Sequence, residues 1–374
     1  MKLSRSIVAS EEAQAISRVL LEDGYLGMGT EVKKFEEDIA TFLGVPPHEV
    51  TCVNTGTAAL HLAVQAVTNP GDEVLVQSLT YVATFQAISA SDAVPVACEV
   101  LPEDITIDLS DAERRLTPKT KAIMPVHYAS NPGALDEIYA FAKLHNLRVI
   151  EDAAQAFGCS FQGKKIGSFG DIRCFSFDGI KNITSGEGGA IISSDPEVLS
   201  RVRDARLLGV EKDTEKRFSG ERSWEFDVTR QGYRYHMSNL FAALGRVQLQ
   251  RFAEEFAPKR VQLAQQYVRR LQNVSGVKLL NTNLGAVVPH IQVVRILTGL
   301  RDEVRSALEK NGIPSGIHYK PNHLLSFYGG GKNSLPVTEQ LYKELLTLPL
   351  HPGLTVEDVD YICDAVVDSL QGKL

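Results

Sequence analysis

The chain has 374 residues, 44% apolar and 23% charged, with a formal net charge of −7. That length exceeds what one hydrophobic core usually serves, so two domains are expected in a globular protein of ordinary composition. The mixed, mildly acidic charge argues against nucleic acid or an anionic membrane as the main partner, and no run reaches the roughly 18–20 apolar residues of a membrane helix.

Glu31 to Leu43 carries apolar residues at helical spacing (Val32, Phe35, Ile39, Phe42, Leu43), and Gly44 follows as a stop signal. Val50 to Val53 reads as a short strand, Thr57 to Val67 as a helix, Asn69-Pro70-Gly71-Asp72 as a turn and Glu73 to Gln77 as a strand. The rhythm continues with strands at Ala93 to Val100 and Ala122 to Val126, then a helix at Leu135 to Leu144. Further strands follow at Arg148 to Glu151, Ile172 to Phe177 and Ala190 to Ser193. Alternation of this kind implies βαβ units and a mostly parallel sheet covered on both faces. Ligands of such sheets sit beyond the carboxyl ends of the strands.

After about Asn239 the texture changes. Leu240 to Asn273 is one long helical pattern, interrupted near Pro258. A strand-like Val277 to Leu280 and helices at Arg301 to Asn311 and Val356 to Leu370 complete a smaller α+β unit. The expected division is 1–239 for a large α/β domain and 240–374 for a small C-terminal one. Glu211 to Arg230 is highly charged, holds the only tryptophan, Trp224, and reads as a long loop or hairpin. Its basic residues Lys212, Arg217, Arg222 and Arg230 either grip a diphosphate or are simply solvated.

Three constellations carry chemistry. The first is Val149-Ile150-Glu151-Asp152-Ala153-Ala154-Gln155, a strand ending in two carboxylates. An acid at that crevice can hold a proton on a pyridine nitrogen; equally, Asp152 can cap a following turn. The second runs from Cys174-Phe175-Ser176-Phe177 through Lys181-Asn182 to Gly186-Glu187-Gly188-Gly189. Lys181 lies about one βαβ step after Asp152. Most lysines are solvated, but one between an aromatic strand and a glycine-rich turn is confined, and a confined amine can lose its proton and act as a nucleophile. The third is Asn54-Thr55-Gly56-Thr57-Ala58-Ala59-Leu60, where a strand runs into a helix start that can bind an anion or simply be capped by Thr55 or Thr57. Tyr81, after the next strand, either stacks on a flat ring or packs in the core.

Other signals fail. Gly27-Met28-Gly29 opens a dinucleotide fingerprint but lacks its last glycine and a preceding strand. The nine histidines show no metal-ligand spacing, so metal catalysis is not expected. Cys52, Cys98, Cys159, Cys174 and Cys363 form no CxxC pair, which suits reduced thiols in a cytoplasmic protein. Met1 to Ser6 does not lead into the apolar core of a secretion signal.

Taken in order, these motifs resemble the DegT/DnrJ family of sugar aminotransferases, across nearly the whole chain. Further matches are Gly24-Tyr25-Leu26-Gly27-Met28-Gly29, Pro70-Gly71-Asp72-Glu73-Val74, Thr80-Tyr81-Val82-Ala83-Thr84, Gly232-Tyr233, Gln248-Leu249, His318-Tyr319 and Leu348-Pro349-Leu350-His351-Pro352. The resemblance implies the aspartate-aminotransferase-like fold (fold type I) and pyridoxal 5′-phosphate (PLP) as cofactor. It implies that Lys181 is the Schiff-base lysine and Asp152 the partner of the pyridinium nitrogen. Gln155 falls beside the phenolic side of the ring, Tyr81 stacks on it, and Gly56, Thr57 and Ser176 form the phosphate cradle. His323 resembles a histidine placed near the sugar in some members. A homodimer is implied, because the family completes its site from a neighbouring subunit. Where many members have Gly-Tyr-Asn-Tyr-Arg, this chain has Gly232-Tyr233-Arg234-Tyr235-His236. The family's asparagine reaches the partner's cofactor phosphate; Arg234 either replaces it as a stronger anion donor or points elsewhere.

The expected activity is transfer of an amino group from L-glutamate to a keto-deoxysugar, expected to be nucleotide-linked. Three alternatives stand beside it. A PLP-dependent sugar dehydratase on this scaffold would carry histidine in place of Lys181. The acceptor could be a cyclitol or a free keto sugar. A regulatory protein could bind PLP without turnover.

Overall fold

The computed structural model describes residues 1–297, 299–332 and 334–371. Seven strands form the main sheet: β1 (Val50–Val53), β2 (Glu73–Gln77), β3 (Val94–Cys98), β4 (Thr120–Met124), β5 (Arg148–Asp152), β8 (Ile172–Ser176) and β9 (Gly189–Ser193), with β6 (Ser160–Phe161) and β7 (Lys164–Lys165) forming a small hairpin between β5 and β8. Their order is β1-β9-β8-β5-β4-β2-β3. All pairings are parallel except those of β9, which runs against both β8 and β1.

The strands read as continuous apolar runs because both faces are covered. Successive side chains alternate between two cores. Cys52, Leu75, Ile123, Val149 and Phe175 enter one; Val53, Val74, Val76, Ile150 and Cys174 enter the other. All five cysteines are buried and unpaired. The reversal of β9 has a local use. It places Gly189 opposite both Ser176 and Val53, at the edge where the parallel strands end.

The C-terminal part has a core of its own. Strands β10 (Val277–Leu279), β11 (Gln292–Ile296) and β12 (Leu345–Leu348) form an antiparallel sheet. The helices Ala257–Leu271, Arg301–Lys310 and Val356–Leu370 cover it through Leu263, Tyr267, Val304, Leu308, Ile362 and Val366. The long helical pattern is broken just before Pro258, as a π-helical turn, Phe252–Phe256, between the helices Asn239–Arg251 and Ala257–Leu271. Proline lacks an amide proton, and a local change of winding absorbs the missing bond. The helix Asn239–Arg251 gives Ala242 and Leu249 to the first core. Among the described residues, no helix is long and apolar enough to cross a membrane.

Candidate active site

Strand β5 ends in two acids with opposite fates. Glu151 turns into the first core, where Oε1 accepts from Tyr139 Oη at 2.6 Å and Oε2 lies 3.2 Å from His127 Nε2. Asp152 turns the other way, into the crevice. Its Oδ2 accepts from Thr84 Oγ1 at 2.8 Å and its Oδ1 from the Ala154 amide at 3.2 Å. Thr84 Oγ1 is also 2.9 Å from Thr80 Oγ1. A hydroxyl has one proton, so the Thr80 hydroxyl donates to Thr84 and Thr84 to Asp152. Burial raises the Asp152 carboxyl above its usual range, opposed by these two hydrogen bonds and by the nearby charges of Lys181 and His127. The bond to Ala154 means that the local capping expected of this residue coexists with a place in the crevice.

Lys181 sits on a loop closed by backbone bonds from Phe177 N to Gly188 O (2.8 Å) and from Ser185 N to Phe177 O (2.9 Å). Burial lowers its amine pKa, while the carboxylates of Asp152 and Asp178 oppose the shift from a distance. Neither acid forms a direct ion pair with it among the described residues. The amine is thus held close to a charge that favours its protonated form, in a place that favours its neutral form. Two histidines lie close enough to feel its charge. Burial and the charge of Lys181 push His318 down to about 4 and His290 well below its usual value, so both stay neutral.

An anion cradle forms where β1 meets the helix Gly56–Val67. Thr55 caps that helix, Oγ1 accepting from Ala58 N at 2.9 Å, and the first amides of a helix have no partner within it. A Cβ at Gly56 would stand 2.6 Å from Ser176 Cβ and 2.8 Å from its Oγ. A Cβ at Gly189 would stand 2.5 Å from the Thr55 carbonyl oxygen. Both positions need glycine for close approach. Ser176 is buried and Thr57 exposed, so the cradle opens on the Thr57 side.

Tyr81 is exposed at the start of the helix Val82–Ala90, with its ring 5.4 Å from that of Tyr319. Gln155 is locked at both ends: Oε1 accepts from Ala129 N at 2.8 Å and Nε2 donates to Tyr319 Oη at 2.9 Å. Tyr319 therefore ties Tyr81 to Gln155 from the far end of the chain. His323 is buried, with Nδ1 2.7 Å from Ser78 Oγ and Nε2 3.3 Å from Glu339 Oε1. Both of its ring nitrogens are occupied within the protein, and none is left for a ligand.

Arg234 is placed apart from this group. Tyr233 and Tyr235 stack on each other at 4.9 Å and pack against His61, so alternation sends Arg234 outward. The backbone there is fixed beside β1 by Asn54, whose main-chain N donates to Tyr235 O at 2.7 Å and whose Nδ2 donates to Arg234 O at 3.4 Å. Its guanidinium is exposed and has no hydrogen-bond or ion-pair partner among the described residues. The segment 211–230 contains one short helix, Thr214–Phe218, and leaves Trp224 and Phe226 exposed. Of its basic residues, Arg217 is already paired with Asp213.

Sequence reasoning did not single out Thr84, Tyr319, His290 or His318 for the site. Thr84 lies one helical turn from Tyr81, and that spacing is the signal that would have found it.

A lysine and an acid meeting at the carboxyl edge of this strand order define an enzyme of the aspartate-aminotransferase-like fold, fold type I. The profile of the DegT/DnrJ/EryC1/StrS aminotransferase family matches residues 7–367. The dTDP-4-dehydro-2,3,6-trideoxy-D-glucose 4-aminotransferase of Saccharopolyspora spinosa is 36% identical over 371 residues, 97% of this chain and 95% of that protein. The aminotransferase TlmJ of Streptoalloteichus hindustanus superposes with a TM-score of 0.91 at 32% identity, covering 99% of this chain and 98% of that one. GDP-perosamine synthase of Caulobacter vibrioides is 37% identical over 347 residues, 91% of this chain and 90% of that protein. The chain belongs to the DegT/DnrJ/EryC1/StrS family and is a PLP-dependent sugar aminotransferase.

The residues present fit that cofactor. Free helix amides with a gap that only glycine leaves beside Ser176 suit a phosphate, a buried acid suits a ring nitrogen, and an amine without a direct partner suits an aldehyde.

Proposed function

We propose that the enzyme moves the amino group of L-glutamate to the keto carbon of a nucleotide-linked deoxysugar, working as a cytoplasmic homodimer. The observation that carries the reading is Lys181 at the carboxyl edge of the sheet, its amine pKa lowered by burial and within electrostatic reach of Asp152. The nucleotide-linked acceptor is supported by the relatives named for dTDP and GDP sugars.

PLP, when bound, supplies an aldehyde for the incoming amine and a ring that accepts the electron pair left by a departing α-proton. The protein's part is positioning and proton movement. Lys181 would take the proton from the amino acid Cα and give it to the cofactor's aldehyde carbon in the first half-reaction, and would move one from that carbon to the sugar carbon in the second, cycling between neutral and charged amine. Asp152 holds the ring nitrogen protonated; Thr84 and the Ala154 amide fix its two oxygens for that task. Gln155, immobilised by Ala129 and Tyr319, would meet the phenolic side of the cofactor, and Tyr81 would stack on its ring. Gly56, Thr57 and Ser176 hold the phosphate, joined by Arg234 of a second copy. His323 acts by holding the loop at Ser78 in place, since its nitrogens are both engaged. The two-domain division falls best at the π-turn Phe252–Phe256, later than 239, because the helix before it packs in the first core.

Two measurements test the reading. Lys181→Ala is expected to abolish transfer and the visible absorbance of a lysine-bound cofactor; a fully active variant overturns the role. Nitrogen-15 from labelled L-glutamate is expected on the sugar. A lyase product without nitrogen would favour a dehydratase instead.

A further inference from the structure

The proton movements assigned to Lys181 do not involve Glu151, the second acid at the end of β5. Its side chain is fully buried, and so is that of His127, just beyond β4. Tyr139 Oη donates to Glu151 Oε1 at 2.6 Å and accepts from the Asp171 amide at 2.8 Å. Burial and the charge of Glu151 push the Tyr139 hydroxyl up, so it stays neutral. Arg173 is near enough to feel Glu151, but its guanidinium donates to the carbonyls of Gly167, Gly170 and Asp171. His127 is the one ion-pair partner of Glu151 among the described residues, with Nε2 3.2 Å from Oε2. The two atoms are off the line of a hydrogen bond, and His127 Nδ1 has no partner. What joins them is therefore charge. A Cβ at Gly170 would stand 2.5 Å from Glu151 Oε1, so backbone closes over the carboxylate, and a carboxylate so enclosed is costly without a cation.

The pair sits on the face of the sheet opposite the crevice. Val126 and Asp152 form a parallel bridge, fixed by bonds from His127 N to Asp152 O (3.0 Å) and from Asp152 N to Pro125 O (2.9 Å). Bridged residues share a face, so the next position on one strand and the preceding position on the other share the opposite face. His127 and Glu151 are those positions. The His127 ring is thereby held behind Asp152, where its charge opposes the rise that burial causes in the Asp152 carboxyl. Lys181 acts on Asp152 in the same sense, but its charge changes each time it moves a proton. Tyr319 and Cys174, which also feel Asp152, carry no positive charge in either protonation state. Of the groups around Asp152, only His127 has a carboxylate of its own to hold its proton in place.

We infer that Glu151 and His127 are positioning residues of the reaction, a buried ion pair whose imidazolium keeps Asp152 ionised through the sheet. Glu151 holds the proton on His127, and His127 favours the carboxylate form of Asp152 whatever the charge on Lys181. For its effect on turnover the inference rests on the cofactor role given to Asp152 above; the ion pair itself does not.

The test follows the Asp152 carboxyl by carbon-13 NMR in the cofactor-free protein labelled at aspartate Cγ, its signal being the one lost in Asp152→Asn. His127→Asn is expected to raise the Asp152 midpoint by about one pH unit, tenfold in proton affinity, because a cation that favoured the carboxylate is gone. Glu151→Gln is expected to move it in the same direction, since burial alone then acts on the imidazole and favours its neutral form. In the Glu151→Gln background, His127→Asn is expected to add less than about a twofold change, because both substitutions remove one charge. In the loaded enzyme the acid limb of the kcat profile is expected to move up with the carboxyl. An unchanged Asp152 midpoint in His127→Asn overturns the inference, and so do two shifts that simply add. Where the variants do not fold, nitrogen-15 NMR of the wild type decides: both His127 ring nitrogens are expected to carry protons at neutral pH, and a neutral ring overturns the pair. A carboxyl shift without a shift in the kcat profile upholds the pair and sinks the cofactor role of Asp152.

Discussion

Asp152 is buried at the end of β5 with a donor on each oxygen, whereas Arg234 stands exposed beside β1 with no partner for its guanidinium. Both are charged residues proposed to serve the cofactor. The inner one is over-determined: Thr80, Thr84 and Ala154 each restrict it, and a buried carboxylate would be costly without them. The outer one is restricted only in its backbone, by two stacked tyrosines and Asn54, while its charge stays in water. One wall of the site is thus completed by a single chain. The other is presented outward, where a solvated arginine costs the fold nothing and keeps its full binding capacity.

The largest effect expected from this contrast is at Asp152. Asp152→Ala should lower kcat by about a hundredfold or more, the usual cost of deleting one preorganised charge, with the cofactor-free fold melting near wild type. A wild-type rate in steady-state assays would break the assignment of the inner wall. Arg234→Ala should weaken PLP affinity by about tenfold in fluorescence titrations, with an effect that shrinks as salt is raised. It should leave the unfolding midpoint of the cofactor-free protein unchanged. A variant that unfolds early would show that Arg234 is part of the scaffold, and the contrast would fall.

The smallest effect sharpens the inner wall. In the cofactor-free protein, acylation of Lys181, read by mass spectrometry, should rise with pH to a midpoint below the ordinary lysine value of 10.5, because burial favours the neutral amine. Asp178→Asn should move that midpoint further down, because the lost carboxylate had favoured the charged form. A midpoint at or above 10.5 would mean that the two acids outweigh burial.

Much of the site is legible in the sequence because its parts are strand ends. Asp152, Ser176 and Gly56 each follow an apolar run, and a parallel sheet brings such ends together along one edge. Tyr319 carries no comparable signal of its role: His318-Tyr319 matches the family's pattern, but only the bond to Gln155, across more than a hundred residues, puts it in the site. The strands β11 and β12 pass unnoticed for a related reason, since short apolar segments acquire strand character from pairing. His323 is the reverse case. A histidine in a promising place turns out to have Ser78 on one nitrogen and Glu339 on the other.

Apolar periodicity and glycine placement, both local properties, are enough to set the alternating elements, the mostly parallel sheet and the order of motifs from Thr55 to Gly189. The sequence alone also narrows the chemistry, through a lysine one βαβ step beyond an acid. Which side chains face which charge is decided only in three dimensions. The reversal of β9, the hydroxyl chain onto Asp152 and the outward aim of Arg234 all depend on where distant segments meet, and burial, not sequence position, shifts the proton affinities of Asp152 and Lys181.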